Sequence, residues 1–111
     1  MIPDPSPPFE VGMSEQLRER IRALGIRAAN LGFGQAFRDT VQSIFESLRQ
    51  APRSAGDPLR HRRKLQLVEY RIIRDKLIVH YTVHERIPLV TVWRFVPVLD
   101  NPLSSPPNAG P

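Results

Sequence analysis

A chain of 111 residues has the length of one domain, and its lack of cysteine excludes disulfide staples, thiolate nucleophiles and Cys-based zinc sites. Sixteen Lys and Arg against eleven Asp and Glu give a formal charge of +5 and a pI near 10.7, which favours an anionic partner. No run approaches the ~18 apolar residues of a membrane span and no secretory pattern opens the chain, so a cytoplasmic protein without a membrane partner is expected.

Residues 1–8 carry Pro3, Pro5, Pro7 and Pro8, and residues 101–111 carry Pro102, Pro106, Pro107 and Pro111. Such segments lack backbone donors and apolar side chains to bury, so both are expected to be disordered tails around a single domain over 9–100. Phe9 to Met13 alternates large apolar and other residues, as a short first strand does. Ser14 is placed to cap a helix, with Glu15 near its positive end. In that helix Leu17, Ile21, Leu24 and Ala28 form one apolar stripe, and Gly25 weakens the interior enough to predict a bend or fraying. Asn30 to Gly34 is a break rich in turn formers. A second helix from Gln35 sets Phe37, Val41, Ile44, Phe45 and Leu48 on its buried side and stops at Ala51-Pro52.

Arg53 to Asp57 reads as a linker into three strand-like runs, LQLVEYRII, KLIVHYTVH and LVTVWRFVPV. They are rich in residues that suit a half-buried pleat, and the gaps between them are of hairpin length. On the middle strand Leu77, Val79, Tyr81 and Val83 form a core face, leaving Ile78, His80, Thr82 and His84 on the open one. On the last strand the same alternation predicts Trp93 and Phe95 on one face and Arg94 on the other. The expected fold class is α+β, a β-α-α-β-β-β order with a helical hairpin packed on a twisted, mainly antiparallel sheet.

Arg60-His61-Arg62-Arg63-Lys64 is the densest charge run. It suits a solvated loop guarding a sheet edge, or contact with several phosphates of a nucleic acid. Arg71, Arg74 and Lys76 would extend one positive, RNA-binding surface from it. His80 on the open face is a candidate general acid or base, beside the plainer reading of a half-exposed structural histidine. With His84 it makes no metal site, because an i,i+4 pair on a strand is ~13 Å apart. Glu69 is expected in a cross-strand ion pair, and Asp57 before Pro58 is a turn residue or a general base. Gly32-Phe33-Gly34 is a helix–helix turn, not a phosphate loop, so no cofactor is expected.

The order of elements, the run Asp75-Lys76-Leu77-Ile78-Val79-His80-Tyr81-Thr82-Val83 and the stretch Asp57-Pro58-Leu59-Arg60-His61 together resemble the RelE/ParE superfamily of toxins from bacterial type II toxin–antitoxin modules. The resemblance spans roughly residues 9–99. It implies an antitoxin protein as partner and either the ribosome with its mRNA or DNA gyrase as target. In the ribonuclease branch a ribose 2′-hydroxyl attacks the adjacent phosphate. Arg71 falls where such enzymes place a basic side chain, and Asp57 where one branch has its carboxylate base. Two positions depart: Ile78 stands where an arginine is usual, and the last strand ends Val96-Pro97-Val98 in place of polar residues. These departures also suit an interaction module that keeps the toxin fold without toxicity, while a basic RNA-binding protein unrelated to toxins is a third reading.

Overall fold

In the computed structural model, which describes residues 8–98 and Leu103, the chain enters through β1 (Glu10–Met13) and turns at once into helix α1 (Glu15–Asn30). The Oγ of Ser14 accepts the Leu17 N–H at 3.1 Å, so the expected cap is formed. Helix α1 runs unbroken through Gly25, whose bare Cα faces the ring of Phe37. It ends in a Schellman motif. Gly32, at φ +93°, and Phe33 donate back to the carbonyls of Ala29 and Ala28. Helix α2 (Gly34–Gln50) then returns antiparallel to α1 and stops at Ala51.

Residues 52–65 depart from the expected linker and basic loop. Pro52 opens a one-turn helix, α3 (Pro52–Ala55), where its missing N–H costs nothing. Asp57–Arg62 is then strand β2, and Arg63–Leu65 forms a 3₁₀ turn. The meander comes next as β3 (Leu67–Arg74), β4 (Leu77–His84) and β5 (Leu89–Pro97). The sheet therefore has five strands in the order β1-β5-β4-β3-β2, with β1 parallel to β5 and the remaining pairs antiparallel. The α+β class and the helical hairpin over a mainly antiparallel sheet stand as expected. The additional strand is an edge strand, and its charges and proline are what edge strands use to discourage further pairing.

Asp75 and Lys76, at φ 51° and 64°, close the β3–β4 hairpin with both central residues left-handed, as a two-residue type I′ turn needs. Thr40 of α2 donates to the Asp75 carboxylate at 2.9 Å and holds that turn against the helices.

The core lies between the helical hairpin and one face of the sheet. Ile44 and Leu48 of α2 meet Val79, Tyr81 and Val83 of β4 there, with Val90, Val92 and Phe95 of β5. Tyr81 stacks on Tyr70 across the β3–β4 ladder, centroids 5.4 Å apart, and Phe37 meets Phe95 edge to face at 6.3 Å. Leu103, which the sequence placed in the C-terminal tail, is buried in this core. Residues 1–7, 101–102 and 104–111 of the expected tails, and residues 99–100 of the expected domain, lie outside the described residues. Among the described residues no helix is long and apolar enough to cross a membrane.

Candidate nucleic-acid interface on the open sheet face

The face of the sheet turned away from the helices is ordered in rows, because residues directly opposite one another in a ladder share a face. Asp57 of β2 pairs with Arg71 of β3, Arg71 with His80 of β4, and His80 with Arg94 of β5. Four chemically capable residues from four strands thus form one row about 15 Å long, at ~5 Å per step. All three residues singled out for catalysis, Asp57, Arg71 and His80, lie in it. The next row holds Arg60, Glu69, Thr82 and Thr91; the one on the other side holds Ile73, Ile78 and Val96.

Two backbone irregularities complete the central row. On β2 the register slips between Pro58 and Arg60, so Leu59 is unpaired and Asp57 emerges on the open face. On β5 Val92 pairs with Tyr81 and Arg94 with His80, which leaves Trp93 as the extra residue. The expected placing of Trp93 with Phe95 on one face is therefore corrected. Phe95 is fully buried, whereas Trp93 and Arg94 both point outward. Strict alternation cannot bury both Val92 and Phe95, which are three residues apart, and the bulge resolves that conflict. Arg94 is the residue that sequence reasoning missed. Its only signal was its place next to Phe95.

Asp57 is located by the segment before it. The Tyr81 hydroxyl donates to the Pro52 carbonyl at 2.7 Å and accepts the Gly56 N–H. Gly56 itself is pressed against β3, since a Cβ there would stand 2.6 Å from the Arg71 carbonyl oxygen and 2.7 Å from the Tyr81 oxygen. Burial of the Tyr81 hydroxyl, with Tyr70 beside it, pushes its pKa well above the usual phenol value. It stays protonated as a structural donor.

His80 is held in the opposite sense. Burial, then the positive charges of Arg94 and Arg71, lower its pKa below the usual 6.5, with Glu69 opposing. It is therefore neutral at pH 7 and able to accept a proton. Among the described residues, buried side-chain polar atoms without a hydrogen-bond partner occur at Arg71 Nε and His80 Nδ1, adjacent in the same row. Both atoms are hydrogen-bonding groups without a protein partner, so they are available to a ligand or to solvent. Trp93 leans on the His80 ring at 5.1 Å and a 54° tilt, and remains 48% exposed.

The basic run is not gathered on one face. Arg60 and Arg62 face outward with the row. His61 points to the other face and meets Glu85 at 2.8 Å. The expected cross-strand ion pair of Glu69 is made with Arg62, at 2.6 Å. Arg63 and Lys64 are exposed in the 3₁₀ turn at the sheet's corner. Arg74 does not join them: it lies on the helix side of β3 and donates to the hydroxyls of Ser43 and Ser47 at 2.9 and 3.1 Å. Lys76 sits in the β3–β4 turn, at the far end of an eight-residue strand from the corner turn. His84 closes β4, and its Nδ1 accepts the N–H groups of Arg86 and Ile87 in the loop beyond.

No protein-family model matches the chain, and no curated protein sequence matches it significantly. Among solved structures, a chain of the archaeal RelE–RelB complex from Pyrococcus horikoshii OT3 superposes with a TM-score of 0.53 at 17% identity, across 84% of this chain and 98% of that one. At such identity the likeness is one of architecture: the chain has a RelE-like fold.

Proposed function

We propose that this chain is the toxin-like component of a type II toxin–antitoxin module, and that it acts on RNA through the open face of its sheet. The observation that carries the reading is the row Asp57–Arg71–His80–Arg94, with its unpaired Arg71 Nε and His80 Nδ1. Two guanidiniums flanking a neutral imidazole match the demands of phosphodiester cleavage, where charge develops on a phosphorane. Neutral His80 takes the proton of a ribose 2′-hydroxyl as its oxygen bonds to the adjacent phosphorus. Arg71 and Arg94 hold the phosphate oxygens, and the bond from phosphorus to the 5′ oxygen breaks. The products are a 2′,3′-cyclic phosphate and a 5′-hydroxyl protonated by water. Asp57 faces Arg71 across the ladder from the edge strand. The second cation, Arg94, offsets the absence of one at Ile78.

The antitoxin is assigned to the other side of the molecule. A groove of about 590 Å³ between α1 and α2 is floored by Ile21, Gly25, Val41 and Phe45, with Ile26 59% exposed beside it. Arg22, Arg38 and Arg49 rim it, which suits an amphipathic helix with acidic flanks.

A second reading, an interaction module without toxicity, is favoured by the apolar row Ile73, Ile78 and Val96, in which Ile73 is 56% exposed. Growth after controlled induction in bacteria separates the two, with Arg71→Ala/Arg94→Ala as the control and cellular RNA ends mapped. Arrest accompanied by new 5′-hydroxyl ends, both abolished in the double variant, is the expected result. Arrest without new ends would move the target to DNA gyrase. Unimpeded growth with folded protein would leave the interaction module.

A further inference from the structure

We infer that Trp93 is a stacking platform for an unpaired nucleobase, so that the open face selects single-stranded RNA. The inference rests on the proposed action on RNA and names the feature of the substrate that the row of charges cannot read. Phosphate contacts by Arg71 and Arg94 are blind to whether a strand is paired. A half-exposed indole beside them is not, because only an unpaired base offers a free face.

The bulge at Trp93 is the structural argument. The core claims Val92 and Phe95, both buried, and one extra residue between them suffices to bring Arg94 outward. That extra residue is the chain's single tryptophan. A small or polar side chain would satisfy the backbone equally well, and exposing an indole to water is unfavourable. The His80 ring touches Trp93 at a 54° tilt, a contact that does not seal the indole. Its neighbours on the ladder, Thr91 and Thr82, are short and leave that flank of the face open. The platform is thus one residue from a guanidinium and in contact with the imidazole, where a nucleotide anchored by its phosphate would lay its base.

Because the chain has one tryptophan, its fluorescence reports on this position alone. The full-length protein would be titrated with three probes: hexaadenylate RNA, a hexamer of the same backbone with abasic riboses, and a ten-base-pair RNA duplex. Binding is followed separately by anisotropy of a terminal dye. Hexaadenylate is expected to quench Trp93 strongly and the other two to leave it bright. Trp93→Ala is expected to weaken hexaadenylate binding about tenfold to a hundredfold, with Trp93→Phe restoring most of it. Abasic binding should be unchanged across these variants, and their far-UV circular dichroism checks the fold. RNA binding with unaltered emission, or Trp93→Ala binding as tightly as the wild type, overturns the stacking role alone. Absence of binding to every probe overturns both the stacking role and the proposed action on RNA.

Discussion

Replacing Tyr81 by Phe removes one oxygen from the point where the helical layer is tied to the sheet. That oxygen is fully buried, donates to the Pro52 carbonyl at 2.7 Å and accepts the Gly56 N–H. The ring itself would keep its place, since stacking on Tyr70 and packing in the core involve carbon atoms that Phe retains. The loss is therefore electrostatic: two backbone groups lose their partner in a site closed to water. Each unmatched buried group costs ~1–3 kcal/mol, and partial relaxation of the one-turn helix α3 puts the total at about 2 kcal/mol. For a folded unit of this size that lowers Tm by about 10 °C. Thermal unfolding followed by circular dichroism measures it, and hydrogen exchange at the Gly56 amide should accelerate in parallel. A drop of less than about 2 °C, or an unchanged Gly56 amide, would refute the claim that this hydroxyl pins the segment carrying Asp57.

Arg94→Ala should lower the affinity for single-stranded RNA about tenfold or more and reduce the slope of log affinity against log salt by about 0.7, the signature of one phosphate contact; an unchanged slope would remove Arg94 from the interface. The His80 imidazole, followed by NMR, should titrate below 6.5, and Arg94→Ala should raise its midpoint because a neighbouring positive charge is lost. Since the folded value lies below the unfolded one, the unfolded chain takes up the proton first. Stability from this group is complete above the unfolded pKa and falls as pH drops through it, so His80→Gln should flatten the stability profile below about pH 6.5. Two glycine substitutions should differ in sign. Gly25→Ala places its Cβ 3.5 Å from the Phe37 ring, an ordinary contact, and should stabilise α1 by ~0.5–1 kcal/mol. Gly34→Ala brings a Cβ to 2.9 Å from the Ala29 Cα and should destabilise the helical hairpin, as paired thermal melts would reveal.

Where one physical demand acts alone, sequence and structure agree. Strand β4 has an apolar residue at every second position, with polar residues between them except at Ile78, and its burial alternates in step. Ser14 has the polar oxygen that an exposed helix start needs, and it caps α1. Where two demands compete, local pattern misleads. The composition of Asp57–Arg62 argues against a strand because an edge strand is built to resist pairing, so its charge and proline mask its place in the ladder. Arg74 reads as one more surface cation in a basic stretch, yet the parity of β3 sends it toward α2, where two serines one turn apart receive it. Lys76 and the Arg60–Lys64 run are near neighbours in the chain but are separated by the length of β3. The link from sequence to local structure survives these cases. The link from local structure to a shared surface depends on register, which no short window encodes.

The central row shows how register and chemistry are joined. Counting along β2 from Arg60 and along β5 from Thr91 with strict two-residue alternation places Asp57 and Arg94 on the helix side, where the Arg94 guanidinium would be buried without compensation. One unpaired residue on each flanking strand, Leu59 on β2 and Trp93 on β5, reverses that parity. The core drives the slip on β5. Phe95 falls in register with the buried Val79, and Arg94 beside it is carried outward. Apolar burial favours that slip by a few kcal/mol per large side chain, more than the loss of a ladder hydrogen bond costs. The outward placing of Arg94, beside His80 in the row, is thus driven by the core on the opposite face. Substitutions that relieve the core conflict, such as a small residue at Phe95, should release the β5 bulge and disperse the row without altering any residue in it.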